Sequence, residues 1–374
     1  MPEPTADLAT LEIDLGAVRQ NWRTVRAQYR GPTLGAVVKQ NAYGFGLSRI
    51  VPLLSSLGCR DFWVVCIEEA LAVRTLAPDA RVFVLHGLAG AAPADFRAHR
   101  IIPVLMDASE LPRVQAEAAA RGPLDVAIQF DTGLSRLGLS RADVKRLRDD
   151  PSPLAGLRIA AYVTHLAHFS NPVARHNDWQ WRRFRAWTQA LPPAPLSFCA
   201  SAGVFGPPER HAHHARVGSA LYGVETTPSS RQPILPAARL TAPILRVMDV
   251  PAGTEVGYGG VYRTPQPARL AHVGVGYGGG LPFSFQRQAY GYVGGLPAPI
   301  VSGLAMSLMT LDVSGLPEGL AVPGAQVELF GPAQPVDILA AAAGVAPNVV
   351  MVSAGARTRR VYLEPSEEKL RVAR

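Results

Sequence analysis

Hydrophobic and polar positions along this chain alternate between two textures, short apolar runs and longer stretches with apolar residues at helical spacing. The apolar runs are "TLGAVVK" (Thr33 to Lys39), "DFWVVC" (Asp61 to Cys66), "RVFVLHG" (Arg81 to Gly87), "IIPVLM" (Ile101 to Met106), "DVAIQFDTG" (Asp125 to Gly133), "IAAYVTH" (Ile159 to His165), "PLSFCAS" (Pro195 to Ser201) and "ARVGSALYG" (Ala215 to Gly223). Between them lie stretches such as "EEALAVRTLA" and "ASELPRVQAEAAARG", the second ending on a Gly stop. Near-continuous apolar strands that alternate with helices predict a parallel sheet covered on its outer face. Eight such units within about 220 residues predict a closed (β/α)8 barrel of the TIM type rather than an open sheet.

After Gly223 the texture changes. "VETTPSSRQPILPAARL" reads as a Pro- and Ser-rich linker, and short Val-rich runs broken by Gly and Pro follow it. The fold class is therefore α/β, with a barrel followed by a mostly-β C-terminal domain that begins near Ala237. The expected partition is an N-terminal segment at 1–10 packing on the C-terminal domain, a barrel at 11–230 and a β-rich domain at 231–374. One helix, "PVDILAAAAGVAPN", interrupts the second domain.

Composition narrows the function classes. With 374 residues, 48% hydrophobic and 18% charged, the chain has room for one large core and a smaller one. No apolar run reaches the roughly 18 residues of a membrane span, and "MPEPTADLAT" lacks both a basic start and an apolar stretch. A soluble, cytoplasmic protein is expected. Cys59, Cys66 and Cys199 show no metal-ligand spacing and no disulfide framework. The net charge of +8 is spread along the chain without interleaved aromatics, which points to an anionic ligand rather than nucleic acid.

Barrels of this type carry their chemistry at the C-terminal ends of the strands. Here those ends present Lys39, Asp131, His165, Ser201 and Arg216. A lone strand-end lysine is most simply one that snorkels to water. Followed by Gln-Asn-Ala-Tyr-Gly, and grouped with a histidine, a hydroxyl and an arginine, it reads as an amine for Schiff-base chemistry on a phosphate-bearing ligand, since desolvation lowers a lysine pKa.

The ordered motifs "LEIDLGAVRQNWR", "VVKQNAYGFG", "EEALAVR", "DTGLSRLG", "VTHLAHFS", "RVGSALYG" and "VGYGGVYRTPQPARLAHVGVGYGGG" resemble the bacterial alanine racemases over almost the full length. These are pyridoxal 5'-phosphate enzymes with a barrel and a β domain. The resemblance implies that Lys39 carries the cofactor, that Tyr43, Ser201, Gly218 and Ser219 contact its phosphate, that His165 supports its ring and that Arg216 faces its pyridine nitrogen. It implies Lys39 and Tyr258 as the two bases of the racemisation, with Tyr258 supplied by the partner subunit of a homodimer that shares its active sites. Arg136 and Met306 are implied at the substrate carboxylate. Taken singly, Tyr258 would be a core aromatic and His165 a structural histidine.

Departures from the family pattern collect around the substrate. Gln129 stands where many members have a lysine that becomes carbamylated, Gly279 and Ser307 replace aspartates, Phe283 and Gly303 replace arginines, Asn348 falls about where a tyrosine narrows the pocket, and Ala200 replaces an asparagine. The expected activity is interconversion of L- and D-alanine. The alternatives are another racemase or a decarboxylase on the same scaffold, or a noncatalytic cofactor-binding protein. Two weaker signals are declined. Gly274, Gly276 and Gly279 spell G-x-G-x-x-G, but Gly280-Leu281-Pro282 follow where a helix should begin. His211, His213 and His214 lack a carboxylate or cysteine at ligand spacing and are expected to be solvated surface residues rather than a metal site.

Overall fold

The computed structural model describes residues 9–168, 171, 173–224, 234–285 and 289–364. Most of the N-terminal segment and most of the linker after Gly223 therefore lie outside the described residues. The first strand, β1 (Thr10–Asp14), alternates half-buried and buried positions and ends where the Asp14 carboxylate accepts the Ala17 N–H at 2.9 Å. That cap starts the helix Leu15–Gln28, which buries Leu15, Val18, Trp22 and Val25 on one face.

Eight strands then close a parallel barrel: β2 (Thr33–Val37), β3 (Asp61–Val64), β4 (Arg81–Val84), β5 (Ile101–Leu105), β6 (Leu124–Gln129), β7 (Leu157–Val163), β8 (Leu196–Ala200) and β9 (His214–Val217). Closure comes from β9 pairing with β2, with Leu34 opposite Ala215 and Gly35 opposite Arg216. The last apolar run splits, because only its first residues are strand, while Ser219–Tyr222 form a short 3-10 turn. Inside the barrel Trp63 stacks on Phe83 with ring centroids 4.0 Å apart. Gly35 is what admits that indole, since a Cβ there would stand 2.6 Å from Trp63 Nε1.

β1 does not belong to the barrel. It lies in the sheet of the second domain, antiparallel to β10 (Ala238–Val250) and parallel to the strand Arg359–Leu363. The single helix expected in that domain is two, Val336–Ala342 and Pro347–Arg357. Gly344, at φ +67°, ends the first, and Pro347 opens the second at a position that needs no N–H donor. Residues Tyr277–Gly279 form only a 3-10 turn before Gly280, so no long helix follows the glycine motif.

The histidine cluster requires correction. His213 is exposed, but His211 and His214 are buried. His211 Nδ1 accepts the Arg30 N–H at 3.0 Å, and the Tyr29 hydroxyl donates to the His211 carbonyl at 2.7 Å. His214 begins β9 and stands 3.4 Å from the buried Asp61, whose carboxylate is held by a forked pair with Arg81. Strand placement and the loop beneath the barrel, which local composition does not encode, draw both rings inward. Among the described residues no group of histidine, cysteine and carboxylate side chains is arranged for a metal ion, and no single helix is long and apolar enough to cross a membrane.

Candidate active site

A cavity of about 440 Å³ opens at the C-terminal ends of the barrel strands. Of the residues singled out by sequence, Lys39, Tyr43, Arg136, His165, Ser201, Arg216, Gly218 and Ser219 line it, together with Gln129, Ala200 and Asn348. Asp131 does not. Its Oδ1 turns back to accept the N–H groups of Gly133, Leu134 and Ser135, each at 3.0 Å, and so shapes the loop that carries Arg136. Gln129 ties down the same loop by donating to the Leu137 carbonyl at 2.9 Å.

Lys39 follows β2 and enters an unusual turn. Gln40, Asn41, Ala42 and Tyr43 all have φ between +52° and +55°, one turn of left-handed helix built without glycine. Such a conformation costs about 1–2 kcal/mol per residue, so the surroundings must hold it. Glu69, on the helix Ile67–Leu76, accepts the N–H groups of Gln40 at 2.6 Å and Asn41 at 3.4 Å through Oε1, and that of Val65 at 2.9 Å through Oε2. Gly44, at φ +88°, ends the turn against the helix Pro347–Arg357.

At one end of the cavity hydroxyls gather. Ser201 Oγ accepts the N–H groups of Gly218 at 3.0 Å and Ala220 at 3.3 Å, which leaves its own hydrogen to donate. The Tyr43 hydroxyl is hydrogen-bonded to Ser219, and a Cβ on Gly218 would stand 2.5 Å from it, so glycine is what lets the phenol approach. Tyr43 also stacks on Tyr222 at 4.6 Å, whose hydroxyl donates to the Val37 carbonyl at 2.9 Å. Asn348 reaches over from the second domain, donating Nδ2 to Ser219 Oγ at 3.2 Å, while its buried Oδ1 has no hydrogen-bond partner among the described residues.

The floor is basic. Arg216 is buried and donates to the Ser197 carbonyl at 2.9 Å, to Ser197 Oγ and to the Thr164 carbonyl, with its guanidinium 5.6 Å from the Trp63 ring centre. Burial brings its pKa down to about 10, which leaves it charged at neutral pH. Burial, then the positive charges of Arg216, Arg136 and Lys39, push His165 down to about 3, so its imidazole is neutral. Burial and the nearby Arg136 also lower the Lys39 pKa, partly countered by Glu69, which favours the free amine more than in an ordinary lysine. Among the described residues that line the cavity, none is a carboxylate.

Tyr258 and Met306 are elsewhere. Both lie on the surface of the second domain, 84% and 64% exposed, and neither lines this cavity. Their neighbourhood is continuous. The glycine before Tyr258 packs beside Ser302 and Gly303, Tyr277 and Gly278 bond to the Ala305 and Met306 carbonyls at 3.1 and 2.7 Å, and Phe283 packs edge-on against Tyr277. Gly279 and Ser307 belong to the same region. The plainer alternative for Tyr258, a core aromatic, does not fit this exposure.

Glu69 lies within the motif "EEALAVR", yet the sequence gives it no role. Within "IEEALAVR" it reads as an ordinary acid in the first turn of a helix. Only the left-handed turn that meets it reveals a second purpose.

The alanine racemase N-terminal domain family matches residues 13–226, and the alanine racemase C-terminal domain family matches residues 237–362. The chain is 38% identical to an alanine racemase of Acidiphilium cryptum over 352 residues, covering 94% of this chain and 98% of that one. It is also 38% identical to an alanine racemase of Rhodospirillum rubrum, covering 95% and 96%. The crystal structure of alanine racemase from Bartonella henselae with covalently bound pyridoxal phosphate superposes with a TM-score of 0.91 at 30% identity, covering 95% of this chain and 99% of that one.

Proposed function

The chain belongs to the alanine racemase family, and from that premise we propose that it interconverts L- and D-alanine with pyridoxal 5'-phosphate as cofactor, using two bases drawn from two subunits. One observation carries this reading: Lys39, Arg136 and Arg216 converge on one cavity with the hydroxyls of Tyr43, Ser201 and Ser219 and with no carboxylate among its described lining. That donor set fits an anionic aldehyde and an amino acid. Hydroxyls and glycine-lined backbone at one end suit a phosphate, and the amine suits a carbonyl carbon. The tight approach of Gly218 to Tyr43 leaves the phenol aimed into this cradle.

When bound, pyridoxal phosphate supplies an electron sink that makes the proton on the substrate α-carbon removable. Lys39, lining the cavity, would hold the cofactor through its aldehyde carbon. Its Nζ then takes or returns the α-proton on one face, helped by a desolvated environment that favours the free amine. Arg216, which stays charged at neutral pH, would face the ring nitrogen without protonating it, and so would restrain the sink and favour simple reprotonation. Neutral His165 would support the ring, and Arg136 would orient the substrate carboxylate.

The opposite face needs its own base, since a single group would return the proton to the side it came from. The exposure of Tyr258 and Met306, away from the cavity of their own chain, supports their supply from a second copy, giving a homodimer with shared sites. The test is incubation of the cofactor-loaded protein with L-alanine in deuterated water. D-alanine carrying deuterium at Cα is the expected product. Loaded protein that yields neither D-alanine nor exchange overturns the reading.

A second reading is favoured by Asn348, whose Oδ1 lies buried at the cavity wall without a hydrogen-bond partner among the described residues. On it, the same chemistry serves a larger or more polar amino acid. Exchange rates across alanine, serine and basic amino acids decide between the two.

A further inference from the structure

We propose that Glu69 is a positioning residue for Lys39, its carboxylate acting as the strut that holds the left-handed turn Gln40–Tyr43 and the amine beside it in place. The inference rests on the reading of Lys39 as the reactive amine. A one-turn helix leaves its leading N–H groups without acceptors in the turn itself. Here two of them, on Gln40 and Asn41, point to one oxygen of Glu69, while the other oxygen is anchored on the Val65 N–H just past the end of β3. The carboxylate thus ties the turn after one barrel strand to the end of the next.

Open space lies beside this part of the turn. A second hollow of about 370 Å³, bordered by Gln40, Asn41, Gly44, Glu69, Gly355 and Arg360, lies close against it. Gln40 and Asn41 are exposed. A strained backbone with space beside it requires a directional partner, and charge-assisted bonds to a carboxylate are the strong kind. Glu69 also acts on the amine through its charge. Arg136, on the loop after β6, opposes the ammonium form and Glu69 favours it, while neutral His165 and Arg216 line the same cavity from β7 and β9.

The test compares Glu69→Gln and Glu69→Ala in the full-length protein, stripped of cofactor so that the Lys39 amine is free, by two readouts that do not depend on turnover. One is amide exchange at Gln40 and Asn41. The other is the pH profile of Lys39 labelling by trinitrobenzenesulfonate, located by peptide mass. In Glu69→Gln the side-chain carbonyl still accepts, so exchange stays within a few-fold of the parent, and loss of the negative charge moves the labelling profile to lower pH. In Glu69→Ala exchange at both amides accelerates by roughly tenfold or more, and the profile moves to higher pH because the opened turn rehydrates the amine. Unchanged exchange in Glu69→Ala overturns the proposal. So does a shift in the same direction for both variants, which would make Glu69 a charge only. If Glu69→Ala does not fold, Glu69→Asp replaces it, keeping the charge while withdrawing the oxygen. Faster exchange is then expected, and parent-like exchange overturns the proposal. Labelling of Lys39 proceeds whether or not the protein racemises alanine, so failure of the functional reading is seen separately.

Discussion

Gly355 and Gly44 meet backbone to backbone, so closely that a Cβ on Gly355 would stand 2.3 Å from the Gly44 carbonyl oxygen and 2.5 Å from its Cα. This contact docks the helix Pro347–Arg357 of the second domain onto the end of the Lys39 turn. The same helix delivers Asn348 to the cavity. Gly355→Ala cannot be absorbed by a side chain, because the neighbouring atoms are backbone. The expected outcome is a stability loss of about 1–3 kcal/mol, as for other overpacked sites, with kcat/KM reduced by up to about a hundredfold through displacement of the turn. Thermal melts and steady-state rates check it, and parent-like values in both would show that the contact yields freely.

Shared sites predict complementation. Lys39→Ala and Tyr258→Phe subunits, each inactive alone, should regain activity on mixing, since one of the two sites of the heterodimer has both bases. Because a heterodimer is half of a statistical mixture and has one intact site, recovery is expected to approach roughly a quarter of the parent rate per subunit pair. No recovery, with subunit exchange demonstrated by mass spectrometry, would rule sharing out.

Arg216→Lys tests the fork. The guanidinium serves Ser197 and the Thr164 carbonyl at once, and a compact ammonium cannot reproduce that planar arrangement. Loss of about 1.5–3 kcal/mol in urea unfolding is expected, accompanied by slower turnover. Undiminished stability would mean that the buried arginine is held by the barrel rather than contributing to it.

Acid should weaken the fold through its buried histidines. Burial, with nearby cations, brings His165 to about 3 and His214 to about 4, against 6.5 for an ordinary histidine. Below pH 6.5 the unfolded chain binds protons at these positions that the folded chain refuses, so stability falls as pH drops toward 4, by up to about 1.4 kcal/mol per pH unit for each ring. Asp61, whose carboxyl burial pushes up, works in the opposite sense, and it is present in both proteins compared. His214→Gln should therefore flatten the dependence of Tm on pH between 6.5 and 4. An unchanged slope would remove His214 as a source of the acid sensitivity.

The sequence by itself determined the barrel and the identity of its rim. Strand runs such as "RVFVL" are apolar at nearly every position because a parallel sheet is covered on both faces, and period and length are properties of local sequence. Lys39, His165 and Ser201 were legible for the same reason, as each ends such a run, whereas Arg216, second in its run, comes to a strand end only because β9 stops at Val217. The left-handed turn was not, since Gln40, Asn41, Ala42 and Tyr43 carry no glycine and only acceptors from outside, Glu69 above all, make positive φ tolerable there. The burial of His211 and His214 escaped for a related cause, because a ring's partner lies on another strand or loop, far along the chain. Asp131 shows the limit even at a strand end: its neighbours in space are three N–H groups of its own loop, so its carboxylate closes a turn instead of entering the cavity. The placement of β1 in the second sheet, the splitting of the last helix and the exposure of Tyr258 also follow from which surfaces meet after folding. Local composition dictates which face is apolar. What that face is pressed against, and hence which polar groups are left aimed at a cavity, is decided only by tertiary packing.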